Sequence, residues 1–352
     1  MPPTSALHPG GREDGLQPTV TGSEFAPLLR EIKDRGLLKR RRGYYARTIA
    51  LNSLALATVW TGVILTGGSW RVLLLAVPLG VFSGRTGFLG HDAGHQQIAG
   101  SRRVNRVLGL VHGNLLLGMS YGWWNDKHNR HHAHPNHVDK DPDVDAGALV
   151  WTQAQAIERR GFARFVTKHQ ARLFFPMLLL EGFALKVASI AHLKRQPARE
   201  RAVEGALLAA HLVGYSALLL SAMPVGVAAV FALLHHALFG LHLGCSFAPN
   251  HKGMPMPRAD DERWGHLRRQ VLTSRNVRGG RATDWFLGGL NYQVEHHLFP
   301  SMPRPNLRLA QPVVRRHCHR LGVPYTETGL ADSYVQALRH MHAVGAPLRA
   351  IR

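Results

Sequence analysis

Long uncharged stretches in the chain are separated by segments dense in charge and histidine. From Ile49 to Trp70 there are 22 residues without a charge. At about 1.5 Å per residue, a helix of that length crosses the roughly 30 Å hydrocarbon layer of a bilayer. Arg71 interrupts, and Val72 to Gly90 is apolar apart from Arg85 near its far end. Together they predict a tight transmembrane hairpin, 49–70 and 72–90. From Gly205 to Asn250 another 46 residues lack Asp, Glu, Lys and Arg. That is too many for one span and suits two. A break at Ser221-Ala-Met-Pro-Val-Gly226 divides them into a second hairpin, 205–222 and 226–247. The expected fold class is an all-α integral membrane protein, with four transmembrane helices in two hairpins and a helical cytoplasmic cap.

Two further stretches are less apolar. Residues 104–124 are moderately so, and 173–191 carry Glu181 and Lys186. A charge at mid-bilayer costs at least about 2.5–3.5 kcal/mol, so both are expected to be interfacial or re-entrant. Residues 1–24, rich in Pro, Gly, Thr and Ser, read as a disordered tail. Residues 25–48 read as a basic amphipathic segment, 49–312 as the principal domain, and 313–352 as a C-terminal helical segment. The cluster Lys33, Arg35, Lys39, Arg40, Arg41, Arg42 and Arg47 should stay cytoplasmic. Both termini and everything between and after the hairpins then lie on the cytoplasmic side of the cell membrane.

Composition sharpens this picture. Lys and Arg total 43 against 22 Asp and Glu, a formal charge of +21. Given the uncharged stretches, that excess reads as a cytoplasmic face against anionic lipid, and no nucleic acid is expected as a partner. Two cysteines, Cys245 and Cys318, are too few for a disulfide framework or a thiolate metal site. The N-terminus has no apolar core followed by a small-residue cleavage site, so export is not expected.

The 23 histidines are the chemical signal. His91-Asp-Ala-Gly-His95 begins where the second span ends, and residues four apart share a helix face. Trp123-Trp-Asn-Asp-Lys-His128-Asn-Arg-His131-His132 places 128/131 and 128/132 about one turn apart. Gln293-Val-Glu-His296-His297 repeats the spacing with glutamine leading, and Asn250-His251 ends the fourth span. His91, His95, His128, His131, His132, His251, His296 and His297 thus emerge at one membrane face. Imidazoles gathered so densely lack partners unless they bind transition metal. Eight nitrogens exceed one ion's coordination shell and suit two. All clusters meet only if neither 104–124 nor 173–191 crosses the membrane. His211, His235, His236 and His242 read instead as ordinary hydrogen-bonded residues.

In order and spacing, the boxes HxxxH, HxxHH and QxxHH closely resemble those of the membrane-bound fatty acid desaturase superfamily, over about residues 45–312. Asn-His-Lys-Gly-Met-Pro at 250–255 and LNYQVEHHLFPSMPR at 290–304 look like bacterial acyl desaturases of the linoleoyl-CoA, or Δ6-like, group. The resemblance implies a non-haem diiron centre that uses O₂ and two external electrons to introduce a cis double bond into an acyl chain. It also implies that the eight histidines ligate iron. Gln293 would occupy a ligand-like position, directly or through water. Asp92, Asn125, Asn250 and Asn291 are candidates to hold imidazole N–H groups, with a plain helix charge as the competing reading of Asp92. Asp141, Asp143 and Asp145 could support the site or pair with basic residues of the cap.

A methylene chain has no polar handle, so a narrow apolar channel must position it. Its expected walls are the inner ends of spans two and four and the run 104–124. Lys127, Arg130, Arg278 and Arg281 are candidate contacts for an anionic headgroup on an acyl-lipid, acyl-CoA or acyl-carrier-protein substrate. His8-Pro-Gly-Gly resembles the haem motif of cytochrome b5 domains, but no histidine follows before His91 to supply a second axial ligand. No built-in haem or flavin is therefore expected. Electrons should come from NAD(P)H through a reductase and an acidic carrier such as ferredoxin. The competing readings are a diiron acyl hydroxylase, a desaturase of a specialised lipid or biosynthetic intermediate, and a membrane metal carrier. No His-Glu-x-x-His occurs, which argues against a metallopeptidase.

Overall fold

The computed structural model describes residues 23–258 and 264–350; the tail 1–22, with His8-Pro-Gly-Gly, lies outside the described residues. In chain order, α1 (Phe25–Asp34) precedes α2 (Arg42–Thr66) and α3 (Ala76–Gly94), which is entered through a tight helical turn at Trp70–Leu75. Next comes α4 (Arg102–Leu110), which opens into a wider π-helical segment, Val111–Leu117. It is followed by α5 (Tyr121–Ala133), α6 (Gln153–Ile157), α7 (Gly161–Leu193), α8 (Ala198–Ala222) and α9 (Val225–His251). The rest is α10 (His266–Leu272), β1 (Asn276–Arg278), α11 (Arg281–Phe286), α12 (Gln293–Leu298), α13 (Arg304–Arg320), β2 (Glu327–Gly329), α14 (Leu330–Val344) and α15 (Ala346–Ala350). The parallel pair β1–β2 is the only sheet among the described residues; otherwise the fold is all-α.

Element boundaries follow packing rather than charge. α2 starts at Arg42, so the basic stretch 25–48 is not one element but a short helix, a turn and the first turns of α2. Long basic side chains can lie along a helix end with their charge in water, which is why charge alone misplaces such a boundary. α1 buries Leu28 and Ile32 against the cap. α8 likewise begins at Ala198, ahead of its uncharged stretch, and α13 runs without a break through 312/313.

α2 and α3 run antiparallel. Leu75 touches Gly62, Asn52 bonds Thr86 at 2.8 Å, and Tyr45 bonds Gln97 at 2.9 Å. α8 and α9 are antiparallel as well, with Tyr215 bonded to His235 at 2.9 Å. Both turns lie at the same end, where Val63, Val72, Met223 and Val227 share one apolar cluster. The histidines lie at the other end. Outward faces of these helices are apolar, with Leu54 at 64%, Leu65 at 79% and Leu212 at 62% exposure. So large an apolar belt suits lipid rather than water, and the protein is membrane-associated.

Among the described residues, five helices are long and apolar enough to cross a membrane, the fifth being α7. It crosses α9 at closely opposed glycines: a Cβ on Gly240 would stand 2.4 Å from the Gly182 nitrogen, and one on Gly182 would stand 2.3 Å from the His236 carbonyl oxygen. Such close backbone approach is how helices pack tightly in lipid. The first half of α7 lies against α14 and α15, and Arg349 donates to the Lys168 carbonyl at 3.1 Å. Its far end returns to the cap, where Gln196 donates to Glu204 at 3.0 Å and Glu204 accepts from Ser120 at 2.6 Å.

Candidate metal centre

Four elements bring the centre together. α3 ends in His91 and His95, α5 carries His128, His131 and His132, α9 ends in His251, and α12 carries Gln293, His296 and His297. Ser120 starts α5 by accepting from the Trp123 amide at 3.0 Å, an N-cap that sets which turn faces inward. Seven imidazoles fall into two buried groups: His91, His95, His128 and His296 form one, and His131, His251 and His297 the other. Within each group the ligating atoms lie within 4.8 Å of one another. His132 lies between the groups, its ring 4.7 Å from His296 and stacked 4.1 Å from His297.

Four of the imidazoles are anchored from behind. The Nδ1 of His131 faces Asp141 at 2.9 Å, that of His251 the Thr273 carbonyl at 3.0 Å, and that of His297 the Gln270 Oε1 at 2.9 Å. His91 Nδ1 faces Asp92 at 3.2 Å. Each partner is an acceptor, so each Nδ1 carries the proton and each Nε2 turns a lone pair inward. Yet inward nitrogens approach one another: His251 and His297 Nε2 atoms are 3.1 Å apart, His95 and His128 2.9 Å, and His128 and His132 3.1 Å. His91 Nε2 and both His296 nitrogens are buried without a hydrogen-bond partner. Facing lone pairs repel, and buried unpaired nitrogens are costly. A cation among them removes both penalties, so the donor set fits metal.

Electrostatics agree. Burial, reinforced by neighbouring imidazoles, holds His95, His128, His132, His296 and His297 well below the ordinary histidine value. They stay neutral, the ligating form. At His131 burial acts the same way, but the Asp141 and Asp143 carboxylates outweigh it and raise the pKa.

The supporting residues sort unevenly. Asp92 both faces His91 and pairs with buried Arg304 at 2.6 Å. Asn250 acts one step back, donating to Gln293 Oε1 at 3.2 Å, while Gln293 Nε2 lies 2.8 Å from His251 Nε2. Asn125 lies beside Gly94 and Asn291 donates to Asp284 at 2.8 Å, so neither holds a histidine. Of the acidic run, Asp141 holds His131, and Asp143 both pairs with Lys127 and lies 3.4 Å from His131. Both readings of that run therefore apply. Gln270, Thr273 and Arg304 are absent from the sequence-based candidates. Gln270 and Thr273 follow no motif, whereas Arg304 closes the stretch LFPSMPR.

An apolar cavity of about 500 Å³ opens from His91, His128, His131, His251 and Gln293. α3 lines it with Gly87 and Gly90, α9 with Leu243 and Phe247, and the π-helical segment with Gly113 and Leu117. α7 contributes Phe174, Leu178 and Leu185, a wall the sequence reading omitted. Of the four basic headgroup candidates only Lys127 borders it; Arg130 pairs with Asp126 at 3.1 Å, and Arg278 donates to the Glu327 carbonyl at 3.3 Å.

The profile of the family described as fatty acid desaturase matches residues 68–329. The chain belongs to the fatty acid desaturase family. Its members are oxidoreductases, and the histidine clusters here are of the kind that holds a catalytic metal. The chain is 30% identical over 321 residues to an acyl-lipid (9-3)-desaturase of Physcomitrium patens, covering 88% of this chain and 60% of that protein. It is 27% identical to a Delta(8)-fatty-acid desaturase of Helianthus annuus, covering 98% and 80%. With a Delta(6)-fatty-acid desaturase of Caenorhabditis elegans it shares 29% identity, covering 93% and 76%. The chain thus spans less than two thirds of the moss protein's length.

Proposed function

We propose that the protein is an O₂-dependent acyl-chain desaturase with a diiron centre, fed with electrons by a separate carrier. The observation that carries this reading is the pair of imidazole groups, four of their rings anchored through Nδ1, opening onto an apolar cavity. His91, His95, His128 and His296 would hold one ion, and His131, His251 and His297 the other, with His132 between them and Gln293 beside His251. Bound there, the iron supplies the oxidising power that no side chain has against an unactivated methylene.

The chain's own residues do the positioning. Asp92, Asp141, Gln270 and the Thr273 carbonyl fix His91, His131, His297 and His251, respectively, through their Nδ1 atoms. Phe174, Leu178, Leu243 and Phe247 keep water from the reacting carbon and hold the acyl chain against the histidine end of the cavity. Each methylene contributes only about 0.8 kcal/mol on burial, so regiochemistry rests on the cavity's shape. The named relatives act at different positions, which fits a common centre with differing walls. Placement in the linoleoyl-CoA or Δ6-like group remains part of this proposal.

In the membrane we propose four crossings, by α2, the Trp70–Gly94 helix, α8 and α9, with the histidine end and both termini cytoplasmic. Supporting this, His131 before α7 and His251 at the end of α9 belong to one group, so an even number of crossings separates them. Both ends of α7 lie against cap residues. The donor would be an acidic ferredoxin-like protein with its NAD(P)H reductase, drawn to a face that carries most of the +21 charge. The test is expression in a host fed defined acyl chains, with iron counted in the purified protein. Two irons per chain and a new cis double bond are expected. A hydroxylated product, or iron-loaded protein with unchanged lipids, would refute the reading.

A further inference from the structure

A polar cluster apart from the metal centre borders the cavity at Leu117. Leu117 and Leu243 both approach Gly87 to within 3.6 Å of where its Cβ would stand. Gly87 precedes His91 by one helical turn, about 5.4 Å, so these two leucines lie that far into the apolar layer from the histidines. Phe88, Phe239 and Leu290 belong to the same apolar cluster. Leu117 therefore forms part of the cavity wall about one helical turn from the histidines.

What holds Leu117 is unusual. It ends the π-helical segment, a form found mostly as short insertions at functional sites. The next residue, Gly118, is left-handed at φ +66°. Lys186 of α7 donates its ammonium to the Leu117 carbonyl, and His211 of α8 lies 3.1 Å from the same ammonium. His211 Nδ1 faces the Leu115 carbonyl at 3.0 Å, so its proton is there and its Nε2 accepts from Lys186. A Cβ on Gly118 would lie 2.3 Å from the His211 ring and 2.8 Å from the Lys186 nitrogen. Gly118 is thus needed both for its backbone angle and for the space it leaves. Lys186 lies among outward apolar neighbours, Val187 at 68% and Ile190 at 57% exposure, where a charge is costly. It has no carboxylate partner among the described residues. Both its bonds go to this one wall.

We propose that Lys186, with His211 and Gly118, is a positioning clamp: by fixing the end of the π-helical segment it sets where the cavity wall stands at Leu117, and so which carbon of the chain reaches the metal centre. Resting on the function proposed above, the clamp adds a specificity-determining element on α7 and α8, well away from the histidine boxes. A rigid wall discriminates against one extra methylene by roughly 10–200-fold, and a loosened one gives much of that up.

The experiment uses the full chain in membranes of a host fed acyl chains of graded length. Lys186→Met and His211→Phe are compared with wild type for iron content, amide exchange over 111–121, and the position of the new functional group. Expected are unchanged iron, faster exchange, and a minor positional or chain-length product enriched at least about fivefold, consistent with a loosened wall. Leu117→Ala should shift products the same way, and adding Lys186→Met to it should change them little. Wild-type product positions and wild-type exchange in His211→Phe, or in Lys186→Met if that variant accumulates, would overturn the clamp. A wild-type protein that modifies no acyl chain is a different outcome: it would overturn the functional reading and, with it, the selection of a chain carbon.

Discussion

Arg304 and Asp92 form a buried ion pair that supports the metal centre, because Asp92 also stands behind His91. Their side chains are 6% and 3% exposed, and they meet at 2.6 Å. Arg304 further donates to the Phe88 carbonyl at 2.8 Å, tying α13 to α3 one turn before the first histidine box. Arg304→Met removes the cation and strands a buried carboxylate. Breaking a buried pair from one side costs about 3–5 kcal/mol, against about 0–1 kcal/mol for an exposed pair such as Arg35–Glu31, which are 50% and 31% exposed. Asp92 would then turn toward whatever donor is left, and His91 would lose its orientation. Loss of such a supporting partner typically lowers metal affinity about 10–100-fold.

The assay is iron content across a chelator series, together with the denaturation midpoint in detergent, for Arg304→Met, Asp92→Asn and the double variant. The double variant should be more stable than Arg304→Met alone, because it leaves no stranded charge, and the cycle should be clearly non-additive. It should still bind iron more weakly than wild type, since Asn lacks the charge that polarises His91. If Arg304→Met keeps wild-type stability and iron affinity, or if the two single effects simply add, the coupling between α13 and the first box is wrong.

Three further outcomes follow. Asp141, fully buried, faces His131 Nδ1 at 2.9 Å and accepts from the Asn136 amide at 2.7 Å; Asp141→Asn should weaken iron binding about 10–100-fold. His317→Ala, which removes bonds to the Glu24 carbonyl at 2.8 Å and to Arg320 at 3.4 Å, both away from the histidine centre, should leave iron binding unchanged; equal losses in the two variants would refute the distinction. Cysteines placed at Gly68 and Pro224 should be labelled from outside, and at Asp139 and Thr283 from inside; any inside position reached by an impermeant reagent would rule out four crossings. Reversing Arg278 and Arg281 to Glu should slow ferredoxin-supported turnover and flatten its salt dependence, because the Debye length falls from about 10 Å at 0.1 M to about 3 Å at 1 M. An unchanged rate at low salt would remove both residues from the docking face.

Patterns of short period were legible in the sequence. Uncharged runs located α2, the Trp70–Gly94 helix, α8 and α9, because a helix in lipid must be apolar over its whole length. Four-residue and three-residue spacing placed His91 with His95 and His128 with His131 and His132, because neighbours on one turn share a face. Convergence of the boxes required an even number of crossings, which is why 173–191 could be read as interfacial or re-entrant rather than spanning. Tertiary structure alone decided what stands behind each imidazole. Gln270, Thr273 and Arg304 reach the centre from other elements, and contacts across tens or hundreds of residues leave no periodicity to read. It alone decided what holds the cavity wall at Leu117 too: Lys186 looks like a misplaced charge in its own helix. Its reason for being there lies in the Leu117 carbonyl, 69 residues earlier in the chain, which only the packing of α7 against the end of the π-helical segment brings within reach.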